Sequence, residues 1–413
     1  MPRWLVLVWV LVSTGCAATG HAVEFDARFK AFGVQSYFPN HDLQRELDGS
    51  PATDGDFDLR LMFSERKGRW KFVAHHSTIY QVGDSFQFNQ TPQNTLDQTP
   101  RDDDRRFFDL TWTLDDGADH RLYHRFDRLA ATYRGDGWGI TLGRDAVSWG
   151  SGKVFQPMDV FAPFAPTTVD RDYKAGEDLV RVDRLLGGGS DVELLAVLRR
   201  DDEENRDVDE TSIGAKWHSF FGESELELVG GRHYEDLIAG FTFRHPLGGA
   251  LLQTDWLATY LDEEDKWVVS GVVNLDYSFV VAQKNAYIFA EYYRNGFGRN
   301  DKPVDIFNLP DSLIVRLQRG EVFNFMKDYT AFGGFIEWHP LVRQNITLIS
   351  NLHDRSSLLQ VQLSYEPSDA QRLEFGLTEP LGDEGDEYGG IRVLTDLTRG
   401  GQSQLYLRWV YYF

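Results

Sequence analysis

The chain has 413 residues, with 64 Asp and Glu against 42 Lys and Arg, a formal net charge of −22 and a single cysteine. That acidic balance excludes nucleic acid as a partner, since phosphate contacts need clustered Lys and Arg, and one cysteine excludes an internal disulfide framework. Aromatics reach 14% although the mean hydropathy is −0.40, the balance expected of strands with one face in lipid and the other in water.

The chain opens with Arg3, an apolar run from Trp4 to Val12, Ser13-Thr14-Gly15-Cys16 and the small-residue site Gly20-His21-Ala22. This pattern predicts a secretory signal peptide over 1–22, which leaves 23–413 as a single domain. Lipidation of Cys16 is the alternative, and Ser13 argues against it because such sites usually carry Leu there. Beyond this segment no run approaches the roughly 18 to 20 apolar residues of a spanning helix.

From Val23 onward the period is two, with no helical amphipathicity. Phe25, Ala27, Phe29 and Ala31 face one way and Asp26, Arg28 and Lys30 the other. The same alternation runs through Phe57 to Ser64, Val192 to Leu198, Trp267 to Phe279 and Leu359 to Glu366. Short turns at Arg66-Lys67-Gly68, Gly135-Asp136-Gly137, Gly187-Gly188-Gly189, Gly222-Glu223, His245-Pro246-Leu247-Gly248, Ala282-Gln283-Lys284, His339-Pro340-Leu341 and Pro367-Ser368-Asp369 alternate with longer or more acidic joins. The longest of these joins run from Gly83 to Arg121, Ser148 to Glu177, Gly296 to Asp328 and Pro380 to Gln402. The alternation predicts an all-β fold, a single transmembrane antiparallel up-and-down β-barrel of about eighteen strands (16–20), with short turns and both termini in the periplasm and long loops outside. Two stretches, near Leu110 to Thr113 and Tyr388 to Leu394, read equally as loop or as extra strand. A soluble propeller would instead repeat a blade motif about every 40 to 50 residues, and none is found.

The last strand, Gln404 to Phe413, sets Leu405, Leu407, Trp409, Tyr411 and Phe413 on one face and stops on an aromatic. With the export signal and the loop asymmetry, this ending resembles the porin-like outer-membrane channels of Gram-negative bacteria over the whole mature chain. The eighteen-strand estimate and charged lumen are most similar to the substrate-specific porins and the channels that export anionic polysaccharides. The resemblance implies that Trp409, Tyr411 and Phe413 are the signal read by the barrel-insertion machinery, and that outer-membrane lipid and lipopolysaccharide surround the belt.

On strands whose apolar face meets lipid, intervening charges point to the lumen. Arg28, Lys30, Arg60, Arg128, Arg181 and Arg408 form a predicted basic wall, opposed by an acidic one of Asp255, Asp276, Glu291, Glu337, Glu366 and Glu374. Such walls set a transverse field that filters solutes; the plainer reading is that these charges pair with one another. The third long loop combines Trp149, Phe155, Asp159, Phe161, Phe164, Asp170, Arg171, Asp172 and Lys174 with several prolines. Its rings suit packing on the inner wall better than exposure, and in general porins, too, it is the third loop that narrows the pore.

Acidic runs at Asp102-Asp103-Asp104, Asp201-Asp202-Glu203-Glu204, Asp262-Glu263-Glu264-Asp265 and Asp383-Glu384-Gly385-Asp386-Glu387 match no calcium-loop spacing and read as solvated tips. Neither a metal site nor a cofactor is expected. His75-His76-Ser77 lies on one strand, where neighbours face opposite sides, and no hydrolase or phosphate-loop motif occurs, so an enzyme is not expected. The expected function is passage of small hydrophilic solutes, with carboxylated sugars or organic acids favoured by the arginines. The alternatives are a loop-plugged scaffold or receptor barrel and, behind it, an outer-membrane hydrolase.

Overall fold

The computed structural model describes residues 22–89, 103–169, 172–201, 203, 205, 207, 209–394 and 396–413. Of the residues singled out above, signal-peptide residues 1–21, Asp102, Asp170, Arg171, Asp202 and Glu204 lie outside the described residues.

The strands are β1 Ala22–Tyr37, β2 Ala52–Lys67, β3 Trp70–Gly83, β4 Thr111–Asp116, β5 His120–Arg134, β6 Trp138–Asp145 and β7 Glu177–Leu185. They continue as β8 Asp191–Val197, β9 Ser212–Phe221, β10 Ser224–His233, β11 Asp236–Leu247, β12 Ala250–Leu261, β13 Lys266–Val281 and β14 Lys284–Arg294. The last seven are β15 Asp328–His339, β16 Val342–Asn351, β17 Ser357–Ser368, β18 Gln371–Leu381, β19 Ile391–Leu394, β20 Leu397–Arg399 and β21 Ser403–Tyr412. Among the described residues, eighteen of these form the ring: β1 to β3, β5 to β18, and β21. Each pairs antiparallel with the next, and the ring closes where β21 lies between β18 and β1, from Arg28↔Tyr412 to Tyr37↔Ser403. Closure leaves no open edge, which a sheet in lipid requires.

The two ambiguous stretches are strands outside the ring, so they leave the count unchanged. β6 pairs only with Leu129–Arg134 of β5; β4 takes up the loop-end edge of β5 that β6 leaves open, from Thr111↔Arg125 to Asp116↔Arg121. β19 and β20 form a hairpin in the last loop. Eight short turns share one end with the start of β1 and the end of β21, and nine joins lie at the other: 38–51, 84–119, 146–176, 198–211, 234–235, 262–265, 295–327, 352–356 and 382–402.

Burial along the strands is inverted relative to a soluble sheet. On β21, Leu405, Leu407 and Trp409 are exposed while Tyr406, Arg408 and Val410 are buried. Phe25, Leu142, Leu194, Leu275, Ile288, Phe332 and Phe375 carry the exposed apolar face around the ring. A belt of this kind needs an apolar solvent, and the charged faces turn inward.

The largest buried apolar cluster lies inside the ring. Phe155 of the third loop packs there with Leu313 and Leu317 of the seventh loop, Tyr293 and Tyr329 of the wall, and Tyr388 and Ile391 of the ninth. The sequence reading missed the helix Asp311–Gln318, which follows Pro310 and buries Leu313, Arg316 and Leu317. At eight residues it is too short for a periodicity test to separate from a loop.

Candidate functional site at the waist of the barrel

Halfway between the two ends, β1, β2, β5 and β21 each turn an arginine inward, and the four are buried: Arg28, Arg60, Arg128 and Arg408. Arg28 pairs with Asp58 at 3.0 Å, Arg60 with Asp127, Arg408 with Glu374 at 2.6 Å and Arg128 with Asp145 at 3.5 Å. The other two basic residues also point inward, Lys30 to Asp56 at 3.1 Å and Arg181 at 3.2 Å to Asp145, the carboxylate that also faces Arg128. The ion pairs leave donors over. Arg28 Nε and Arg60 Nε and Nη1 have no hydrogen-bond partner among the described residues.

Of the carboxylate partners, the sequence reading singled out Glu374 but not Asp58, Asp127 or Asp145. Asp58 precedes Arg60 by two and therefore shares its face, a signal that was available. Asp127 was not recoverable: it adjoins Arg128 in sequence, so strict alternation puts it on the lipid side. The pairing of β3 with β5 slips at His75/His76, where Asp127 is the extra residue, and both Asp127 and Arg128 turn inward. His76 faces outward, as alternation demands, with Nε2 at 2.9 Å from His124 Nδ1.

The third loop lies against the inward face. Its first limb is held by carboxylates: Asp255 accepts from the Ser151 N–H at 2.6 Å and the Gly152 N–H at 3.1 Å, and Glu291 from those of Lys153 (2.8 Å), Val154 (3.1 Å) and Phe155 (2.9 Å). Gly150, at φ +88°, is required there, because a side chain would meet Asp255 Oδ2 at 2.9 Å. Phe155 stacks on Tyr293 with centroids 4.4 Å apart. Trp149 donates to Glu193 at 2.8 Å and meets Phe161 edge-on, Asp159 pairs with Lys174, and Phe164 lines a small gap beside His233.

The returning limb docks on the arginines. The Tyr173 ring lies 3.6 Å from the Arg60 guanidinium carbon, with Arg28 at 5.7 Å and Arg128 at 5.2 Å, and its hydroxyl meets His75. Asp172 pairs with Arg408, with Arg28 at 3.6 Å and with Arg372 at 3.9 Å. Arg128 donates to the Lys174 carbonyl at 2.6 Å.

This arrangement corrects the expected opposition of two walls. Asp255 and Glu291 are buried beneath the third loop as its anchors, and Asp276 holds Lys153 of that loop at 3.1 Å. Glu374 sits across from Arg408 on the neighbouring strand, so it belongs to the basic sector. Glu337 and Glu366 lie toward the short turns, paired with Arg343 at 2.8 Å and Arg372 at 2.9 Å. Backbone N–H groups and arginines consume most of the acidic wall, and no sequence pattern reveals which carboxylates a distant loop will reach.

Two cavities flank the layer. Toward the short turns, about 700 Å³ opens among His75, Arg128, Trp138, Asp145 and Arg181. Toward the loops, about 650 Å³ opens among Phe32, Phe38, Gln81, Arg125 and Gln404. The latter is bounded by Glu387, which accepts from Tyr329 at 2.5 Å and Asn351 at 2.7 Å and ties the ninth loop to the wall; burial raises its carboxyl to about 7. Between the cavities stand Tyr173, Asp172 and the four arginines.

No family model matches this chain, and no curated protein matches it in sequence. Solved structures do match. OccAB4 of Acinetobacter baumannii superposes with a TM-score of 0.54 at 11% identity, over 95% of this chain and 98% of that one. OccK2 (OpdF) of Pseudomonas aeruginosa, crystallised in complex with glucuronate, gives 0.54 at 11% over the same shares. OpdK of Pseudomonas aeruginosa, crystallised with vanillate, gives 0.52 at 12%, again over 95% and 98%. At such identities the likeness establishes the fold, the eighteen-strand barrel of these outer-membrane porins.

Proposed function

We propose that the chain is an integral outer-membrane channel for small hydrophilic solutes bearing a carboxylate, with its short-turn end in the periplasm and its passage narrowed by the third loop. The observation that carries this reading is the arginine layer between two cavities, with buried guanidinium donors left over at Arg28 and Arg60. Guanidinium stays charged at any working pH and presents a fork that matches a carboxylate. A buried donor without a partner costs about 1 to 3 kcal/mol, a cost that an anion entering the layer relieves. Asn345 and Gln362, joined at 3.1 Å, and Gln404 present amides on the inward face of β16, β17 and β21. A solute with hydroxyls beside its carboxylate suits this pairing, so sugar acids are the favoured class. The glucuronate and vanillate bound by two relatives of the same fold are acids of this size. Outer-membrane lipid and lipopolysaccharide surround the apolar belt, and the barrel-insertion machinery reads the terminal strand.

The packed core of the third, seventh and ninth loops favours a second reading, a barrel closed by its own loops. Conductance in planar bilayers separates the two, since a plugged scaffold passes no steady current. For the channel, reversal potentials in a salt gradient should show preference for anions, reduced several-fold in Arg60→Ala and Arg128→Ala. Outer-loop carboxylates contribute little at a Debye length of about 8 Å. A wild-type preference for cations that ignores both changes refutes the carboxylate reading.

A further inference from the structure

We infer that Asp172 and Tyr173 are a built-in competitor for the solute: a carboxylate and an adjacent ring, supplied by the chain itself, that occupy the arginine layer until a ring-bearing carboxylate displaces them. The inference rests on the channel reading above and goes beyond it by identifying what holds the site at rest. Asp172 brings one carboxylate within reach of Arg408, Arg28 at 3.6 Å and Arg372 at 3.9 Å. Its neighbour in the chain lays a ring 3.6 Å from the Arg60 guanidinium carbon. The pair thus reproduces a small ring acid, with its charge in one arginine cluster and its flat face on the next guanidinium.

Each of these arginines also has a wall carboxylate of its own: Asp58 for Arg28, Glu374 for Arg408 and Glu366 for Arg372. Removing Asp172 therefore leaves no arginine without a counter-charge, and Asp172 is not needed to neutralise the wall. Its side chain keeps a quarter of its surface exposed, whereas Arg28 and Arg408 are almost wholly covered. The loop carboxylate is the accessible member of the cluster, the one that an incoming anion meets and exchanges with. Because Tyr173 and Asp172 stand between the levels of the two cavities, the exchange also clears the space between them.

The test uses the full channel in planar bilayers, with glucuronate as the probe and Asp172→Asn as the variant. Asparagine has the same shape without the charge, so the loop keeps its path. Glucuronate should interrupt the potassium chloride current of the wild type, and the concentration that halves the current should fall about tenfold in Asp172→Asn, because the probe no longer displaces a charge. Tyr173→Ala should raise conductance in chloride alone and lower the half-blocking concentration of glucuronate, because its ring no longer has to be displaced from the Arg60 guanidinium. Equal half-blocking concentrations in wild type and Asp172→Asn overturn the competitor, even though block of the wild type upholds the channel reading. Absence of block in both, together with cation preference, overturns the channel reading and the competitor with it.

Discussion

Substituting Glu291 with glutamine tests whether the third loop is held where the structure has it. Glu291 is buried and takes three backbone N–H groups of that loop, Val154 and Phe155 on Oε1 and Lys153 on Oε2, where Asn274 also donates at 3.3 Å. Glutamine keeps one carbonyl for Val154 and Phe155 and turns an NH2 toward two donors. The loss is one charge-assisted bond, worth about 1.5 to 3 kcal/mol, together with a stranded Lys153 N–H costing about 1 to 3 kcal/mol. Relaxation of the Asn274 amide recovers part of this, so a net of about 3 kcal/mol is expected, a shift of about a hundredfold in the docked-to-undocked ratio at about 1.4 kcal/mol per tenfold. The Phe155–Tyr293 stack, the Asp255 bonds to Ser151 and Gly152 and the Lys153–Asp276 pair then hold the limb. Single-channel recordings of Glu291→Gln should show higher mean conductance and slow current fluctuations absent from the wild type, while the barrel stays heat-modifiable on gels. A quiet channel of unchanged conductance refutes the argument that these bonds hold the loop across the passage.

Deleting Phe413 removes both an exposed terminal ring and the N–H that donates to the Ala27 carbonyl at 2.9 Å across the seam of the ring. Heat-modifiable barrel in the outer membrane should fall severalfold, with export across the inner membrane intact; normal amounts count against an assembly role for the residue. Acid sensitivity should trace to Asp103 in the second loop: burial raises its carboxyl, but Arg106 and Arg144 outweigh that and hold it at about 2. A folded pKa below the ordinary 3.8 stabilises fully above about pH 4 and is lost as pH falls through 2. The melting temperature in detergent should therefore drop between pH 4 and 2, whereas Asp103→Asn should be less stable at neutral pH and flatter across that interval; parallel profiles for the two proteins sink the assignment.

The ring was legible because lipid enforces a rule that soluble folds only encourage. Every spanning segment must hide its backbone polar groups and keep one apolar face, so Phe25 to Ala31 and Leu405 to Phe413 announce their orientation residue by residue. The eight short turns and nine longer joins were read close to their observed places, even the two-residue join at 234–235, because the alternation carries through most of the strands around them. What the pattern could not supply was structure that ignores period two. The bulge that turns Asp127 inward breaks parity in a single step. The anchoring of the third loop on Asp255 and Glu291 depends on contacts between residues more than a hundred positions apart, and the helix Asp311–Gln318 packs in a cluster drawn from three loops and the wall.

Height along the barrel was equally hidden, and it explains how the waist comes to exist. Alternation says that Arg28, Arg60, Arg128 and Arg408 face inward, but only the pairing register says that they share a level. Arg28 lies directly across from Arg60, Arg60 from Ser77, and His75, two residues along, from Arg128; Arg408 stands across from Phe32, on the loop side of Arg28, and Asp172 bridges the two arginines. Like charges directly opposite one another on paired strands are destabilising, and a fold selected for stability alone has no reason to set Arg28 against Arg60. Asp58 at 3.0 Å from Arg28 and 3.8 Å from Arg60, Asp127 on Arg60 and the Tyr173 face offset the clash, yet donors on both arginines stay open. Where local rules are broken without full compensation, function is the usual reason. Here what is left uncompensated is open guanidinium donors on Arg28 and Arg60, at the level between the two cavities, which is what a passing carboxylate would find.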